Sequence, residues 1–229
     1  MKEKPGLTRR DLLRLGAALP FGTLAAAQAA GAAGACGLTP RQTSGPFFPA
    51  FDQLDKDVDL TRVTGHDGRA EGEVIRVRGR VLDDQCRPVE GALVDLWQAN
   101  AKGRYAHPAD RNPAPLDPNF QGWGQAVTDA DGRYSFTTIK PAPYPLEFVG
   151  GEADTRAGFR TPHLHFRVAK RGHRELSTQM YFAGEALNDR DAVLARVPAP
   201  ERPRVVIEPQ RGPGAEPPLY VFDIVIARG

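Results

Sequence analysis

The segment Val74-Ile75-Arg76-Val77-Arg78-Gly79-Arg80-Val81 alternates with a period of two. In an extended chain Val74 and the three arginines fall on one face, and Ile75, Val77, Gly79 and Val81 fall on the other. Such a segment buries one side and shows the other to water, as a half-buried β-strand does. Shorter strand signals follow at Ala92–Trp97, Arg133–Ile139, His163–Val168, Thr178–Phe182, Arg204–Ile207 and Leu219–Ile226. Turn chemistry separates them, at Asp83–Gly91 and at Asp129-Ala130-Asp131-Gly132. Twenty-four glycines and 21 prolines in 229 residues punctuate the chain too often for long helices. Only Asp189–Val197 reads as helical. The pattern predicts an all-β fold, a β-sandwich of about eight short strands over residues 71–229.

Two regions precede that domain. Residues 1–35 open with a charged patch containing Arg9-Arg10 and continue as an Ala-rich apolar stretch interrupted by Pro20. The string Thr8-Arg9-Arg10-Asp11-Leu12-Leu13 resembles a twin-arginine export signal rather than a membrane span. Cleavage after Ala29 or Ala35 would leave a periplasmic protein. Cys36 would then either carry a lipid anchor or pair with Cys86, which an oxidising compartment permits. The leader removes +3 from the whole-chain charge of +2 and leaves −1, so no basic surface for nucleic acid remains. Residues 36–70, with Ser44-Gly45-Pro46-Phe47-Phe48-Pro49, read as an irregular arm laid over the domain.

The chemistry concentrates around two long stretches without periodicity, 100–124 and 141–162. Loops of this length in a compact domain are usually functional or disordered. His163-Leu164-His165 puts two imidazoles on one face of a strand, half of a metal site. Two cysteines are too few and too scattered for a zinc cluster. No Asp or Glu lies within four residues of the pair, so neither a two-His-one-carboxylate site nor a zinc hydrolase has an evident partner. Tyrosine is the remaining donor. Tyr134, Tyr181 and Tyr220 sit in apolar strands and read as core. Tyr105 and Tyr144 sit in Gly/Pro-rich loops, as Gly103-Arg104-Tyr105 and Pro141-Ala142-Pro143-Tyr144-Pro145.

In order along the chain, Asp95-Leu96-Trp97-Gln98-Ala99-Asn100, Gly103-Arg104-Tyr105, Asp131-Gly132-Arg133-Tyr134, the Pro-x-Pro-Tyr-Pro segment and Arg160-Thr161-Pro162-His163-Leu164-His165-Phe166 resemble the intradiol ring-cleavage dioxygenases. The resemblance is nearer to the protocatechuate 3,4-dioxygenase type than to the catechol 1,2-dioxygenase type. It implies a ferric ion, Fe(3+), held by Tyr105, Tyr144, His163 and His165. It gives Arg160 the stabilisation of charge on the substrate, Tyr144 a second role as base, and Gln179 a place near the ring. It implies a catechol-type substrate, dioxygen as co-substrate, a cis,cis-muconate-type diacid as product, and an oligomer.

Leu146 stands where the protocatechuate type generally has tryptophan, and Phe148–Gly158 departs from the usual text. The stretch before the first strand lacks the helical region of catechol-type members. The rival expectation is a non-catalytic extracytoplasmic module. Val77–Trp97 and Thr128–Phe136 share the cadence of transthyretin-like sandwiches, but such a module has no use for two loop tyrosines beside a His-x-His pair.

Overall fold

A computed structural model describes residues 36–53, 55–146, 158–212, 214 and 216–229. The leader 1–35 and most of Phe148–Gly158 lie outside the described residues. The strands are β1 (Val74–Asp83), β2 (Leu93–Trp97), β3 (Trp123–Val127), β4 (Arg133–Ile139), β5 (Tyr144–Pro145), β6 (Phe159–Arg160), β7 (His163–Ala169), β8 (Leu176–Phe182), β9 (Val206–Ile207), β10 (Pro209–Gln210), β11 (Leu219–Val221) and β12 (Ile224–Ile226).

They form two five-stranded sheets and one small hairpin. In the first sheet β1 pairs antiparallel with β4 and parallel with β11 and β12, and β10 extends β11. The second runs β3-β2-β7-β8-β9. The core lies between the sheets. Ile75, Val77, Val81 and Phe136 meet Val94, Leu96, Leu164, Phe166, Val168 and Met180, all fully or almost fully buried. Burial of this apolar area at about 25 cal/mol per Å² drives the fold. The arginines of β1 stay exposed, as the alternation predicts.

Three local expectations differ from the structure. Trp123–Val127 forms a strand inside a stretch that reads as loop and turn. Its glycine and glutamine weaken the pattern, and its place is set by pairing with β2 at the sheet edge. Leu219–Ile226 is two strands, not one. Phe222 N–H donates to Arg78 O and the Asp223 carboxylate accepts from Arg80 N, so the ladder is interrupted at 222–223 and resumes in the same register, Val221 opposite Arg78 and Ile224 opposite Val81. Asp189–Val197 contains two 3-10 turns, Asn188–Arg190 and Leu194–Arg196, rather than an α-helix. The buried Asp191 between them accepts from Val193 N and Leu194 N and takes over backbone donors that a helix would have used.

The arm crosses both sheets. Thr39 N donates to Val225 O, Gln42 N to Ser177 O and Leu60 N to Thr137 O, while Gln125 N donates to Lys56 O. At its start Cys36 is disulfide-bonded to Cys86 in the turn after β1. A lipid thioether would need the same sulfur, so in this disulfide-bonded form Cys36 carries no lipid anchor.

Candidate metal centre

The sheet register assembles the site on the outer face of the second sheet. Leu164 and Phe166 of β7 point into the core, so His163 and His165 point outward. Directly opposite His165 stand Trp97 of β2 and Gln179 of β8, and opposite His163 stands Tyr181. Cross-strand partners share a face. These five side chains therefore form one patch, which the arm and the two tyrosine loops cover until every member is buried.

Tyr144 arrives through β5, which pairs with β6 so that Tyr144 faces Arg160. The expected loop tyrosine is thus held by a two-residue strand. Tyr105 arrives on a tight loop built by Asn100. The Asn100 side-chain oxygen accepts from Lys102 N and Arg104 N, its carbonyl accepts from Gly103 N and Ala142 N, and its amide donates to Pro115 O. Asp110 accepts from Tyr105 N at 2.7 Å and finishes the turn. Gly103, at φ 78°, lets this loop press on the other: a β-carbon there would lie 2.7 Å from Pro143 O and 3.2 Å from Tyr144 Cβ.

The four predicted donors converge. His163 Nε2 and His165 Nε2 are 3.1 Å apart, and Tyr144 Oη is 3.5 Å from His163 Nε2. The Tyr105 and Tyr144 rings meet edge to face at 5.5 Å, and Tyr105 Oη is buried without a hydrogen-bond partner. His163 Nδ1 lies 2.6 Å from Thr161 O. We assign the proton to Nδ1, donating to that carbonyl, which turns the Nε2 lone pair toward the cluster as in metal-bound histidines. His165 has no such anchor. Its Nδ1 is unpartnered, and its ring is instead stacked on Trp97 at 4.8 Å with 12° between planes.

Electrostatics fits a cation. Burial pushes both imidazoles well below their ordinary pKa, and the Arg160 charge reinforces this, so both nitrogens remain lone-pair donors. Burial, with the neighbouring Tyr144, pushes the Tyr105 phenol well up. Burial also raises Tyr144, with Arg160 pulling the other way. Two imidazole nitrogens 3.1 Å apart, the Tyr144 hydroxyl 3.5 Å from one of them and the unpartnered Tyr105 hydroxyl make a buried set of donor atoms whose chemistry suits a positive ion. Among the described residues no three His, Cys, Asp or Glu come together as ligands.

Arg160 and Gln179 also reach the site. Arg160 Nη2 donates to Gln179 Oε1 at 2.6 Å and Nε to Asp191 Oδ2 at 2.7 Å. Gln179 Nε2 donates to Thr43 O of the arm at 2.9 Å, which ties arm to arginine. Three participants escaped the sequence reading. Tyr181, read as core, faces the site with its ring 5.9 Å from His163 and its hydroxyl on Gln42 and Gln179. The His163–Tyr181 register carries it there, and that pairing is not legible in a single strand. Gln42 comes from the irregular arm and Asp191 from a segment that reads as helical, both distant in sequence from the His pair.

A family model described as "Dioxygenase" matches residues 44–227. The protocatechuate 3,4-dioxygenase beta chain of Burkholderia cepacia is 44% identical over 168 residues, 72% of this chain and 68% of that one. The chain belongs to the intradiol ring-cleavage dioxygenases. The catechol 1,2-dioxygenase of Candida albicans is 36% identical over 124 residues, but the match covers only 40% of it. Among solved structures, the dioxygenase domain of a dioxygenase carbohydrate-binding protein fusion from Streptomyces sp. SirexAA-E is matched over 100% of its length and 84% of this chain, at 28% identity and a TM-score of 0.57. The catechol 1,2-dioxygenase of Pseudomonas arvilla C-1 gives 0.61 at 28% identity, over 86% of this chain and 64% of that one. The chain spans about half the length of the curated catechol dioxygenases it matches.

Proposed function

We propose that this chain cleaves a catechol-type ring between its two hydroxylated carbons with dioxygen, using a ferric ion held by Tyr105, Tyr144, His163 and His165. The observation that carries this reading is the clustering of two buried tyrosine rings with two buried imidazoles whose Nε2 atoms are 3.1 Å apart. When bound, ferric iron supplies the charge that ionises phenol and catechol hydroxyls and draws electron density from the ring, so that a ring carbon can react with dioxygen.

The chain's own residues do the rest. Tyr144, once its phenol is ionised, would take the second catechol proton, and Arg160 stands opposite it in the β5–β6 pair. Arg160, permanently charged, stabilises negative charge developing on the substrate. Gln179 holds the Nη2 end of that guanidinium. Phe47 packs on Tyr105, and the ring of Phe48 on Trp97, an apolar cover that keeps water from the reacting centre. The product is a cis,cis-muconate-type diacid.

The 44% identity to a protocatechuate 3,4-dioxygenase chain favours a carboxylated catechol, whereas Leu146 stands where that type generally has tryptophan. Oxygen uptake with catechol, protocatechuate and hydroxyquinol, together with product identification, tests reaction and substrate at once. A diacid retaining all ring carbons is expected from at least one of them. Extradiol products, or no uptake by the ferric protein, would contradict the proposal.

Export by the twin-arginine route is part of the same proposal. The disulfide supports it, because such bonds persist in oxidising compartments. A fusion of residues 1–35 to a reporter, followed into the periplasm with and without Arg9→Lys and Arg10→Lys, tests it. Self-association is the remaining expectation, and light scattering on the purified protein reads it directly.

A further inference from the structure

We infer that Asp191 is the positioning residue for Arg160, an assignment that rests on the reading of Arg160 given above. Asp191 is fully buried, and both of its oxygens are committed. Oδ1 accepts from Val193 N and Leu194 N, each at 2.9 Å. Oδ2 accepts from Arg160 Nε at 2.7 Å and from Thr161 N at 3.1 Å. One edge of the carboxylate is therefore fastened to the turn at 191–194, and the other fixes the Nε edge of the guanidinium. Gln179 Oε1 fixes Nη2 from another direction. With two of its nitrogens committed, the guanidinium cannot rotate, and its remaining nitrogen, Nη1, keeps one direction. Gln179 is neutral, and among the described residues Asp191 is the carboxylate that pairs with the buried guanidinium. Arg160 lies across the β5–β6 pair from Tyr144, so this orientation decides where positive charge meets a substrate bound among the four donors.

Substituting asparagine for the carboxylate cannot preserve this arrangement. Each oxygen of Asp191 accepts two N–H groups, and an amide turned either way sets its NH2 against two donors.

The test uses the full mature protein loaded with iron, comparing Asp191→Asn, Arg160→Gln and the double variant by iron content, visible spectrum, kcat and KM. Expected for Asp191→Asn are unchanged iron content and spectrum and a kcat lower by about 100-fold, the usual cost of misplacing an oriented charge. The double variant should match Arg160→Gln, because a residue acting only through Arg160 has nothing left to position. If Asp191→Asn fails to fold, the double variant buries no unpaired charge, and its recovery with the kcat of Arg160→Gln supports the same assignment. Multiplying losses in the double variant, iron loss in Asp191→Asn, an undiminished kcat, or a double variant that also fails to fold would each overturn it. An Arg160→Gln protein with full kcat would instead remove the reading of Arg160 on which the inference stands.

Discussion

Gly103→Ala tests whether the contact between the two tyrosine loops is what brings the phenols together. At φ 78° an alanine pays about 1–2 kcal/mol for the left-handed backbone. Its β-carbon would also lie 2.7 Å from Pro143 O, a backbone atom that cannot swing aside. Relief to an ordinary contact of about 3.4 Å needs a separation of roughly 0.7 Å between the Tyr105 and Tyr144 loops, which adds about 1 kcal/mol if the loops resist. The total is about 2–3 kcal/mol, concentrated at the ligands because the sandwich core lies elsewhere. The contact share of about 1 kcal/mol is the part that moves the ligands, and expressed in metal binding it is roughly a 5-fold weaker affinity for ferric iron. Competition against a calibrated chelator, read by the visible absorption of the bound ion, measures it. The matched control is Gly65→Ala, where φ is 85° and nothing lies within 4 Å of the added carbon. That variant carries the backbone strain without the contact and should bind iron as the parent does. Equal iron affinity in Gly103→Ala and the parent, or an equal loss in both variants, would refute the argument.

Other perturbations read different parts of the structure. His163→Ala and His165→Ala should each lose iron retention and ring cleavage together, and turnover surviving in either, by oxygen uptake, would mean the ligands are misplaced. In the iron-free protein burial keeps both imidazoles neutral well below their ordinary 6.5. The unfolded chain therefore binds protons that the fold refuses. Stability should be full above about pH 6.5 and fall as pH drops below it, seen as a falling Tm between pH 7 and 5 that His165→Phe makes shallower. The disulfide closes a loop with a sequence separation of 50, and a chain-entropy estimate puts its removal at up to about 4 kcal/mol. Cys36→Ser should lower Tm without changing kcat. Intact mass of the mature protein should show two hydrogens fewer than its reduced form and no lipid.

How much of this was legible in the chain depends on how local each feature is. The outward pairing of His163 and His165 follows from strand period alone, because i and i+2 share a face wherever a strand forms. The core face of β1 was readable for the same reason. Tyr105 and Tyr144 were marked out by their Gly/Pro loops, but that they meet depends on Asn100, Asp110 and the close approach of Gly103 to Pro143, which no spacing encodes. Asp191 gave no signal. Its segment read as a helix, and its partner Arg160 lies 31 residues earlier in the chain. Tyr181 is buried with the core as its apolar strand suggests, but that it also faces the site follows from its register with His163, which a single strand does not show. The edge strand Trp123–Val127 was hidden because pairing with β2, not its own sequence, makes it a strand.

The central claim is that two tyrosines and two histidines of this chain hold ferric iron, and the visible spectrum of the protein tests it most directly. One equivalent of ferric ion added to the iron-free protein should give a red-brown tyrosinate-to-iron charge-transfer band that weakens in Tyr105→Phe and disappears when His163 or His165 is removed. A protein that binds ferric iron stoichiometrically and stays colourless would contradict the account.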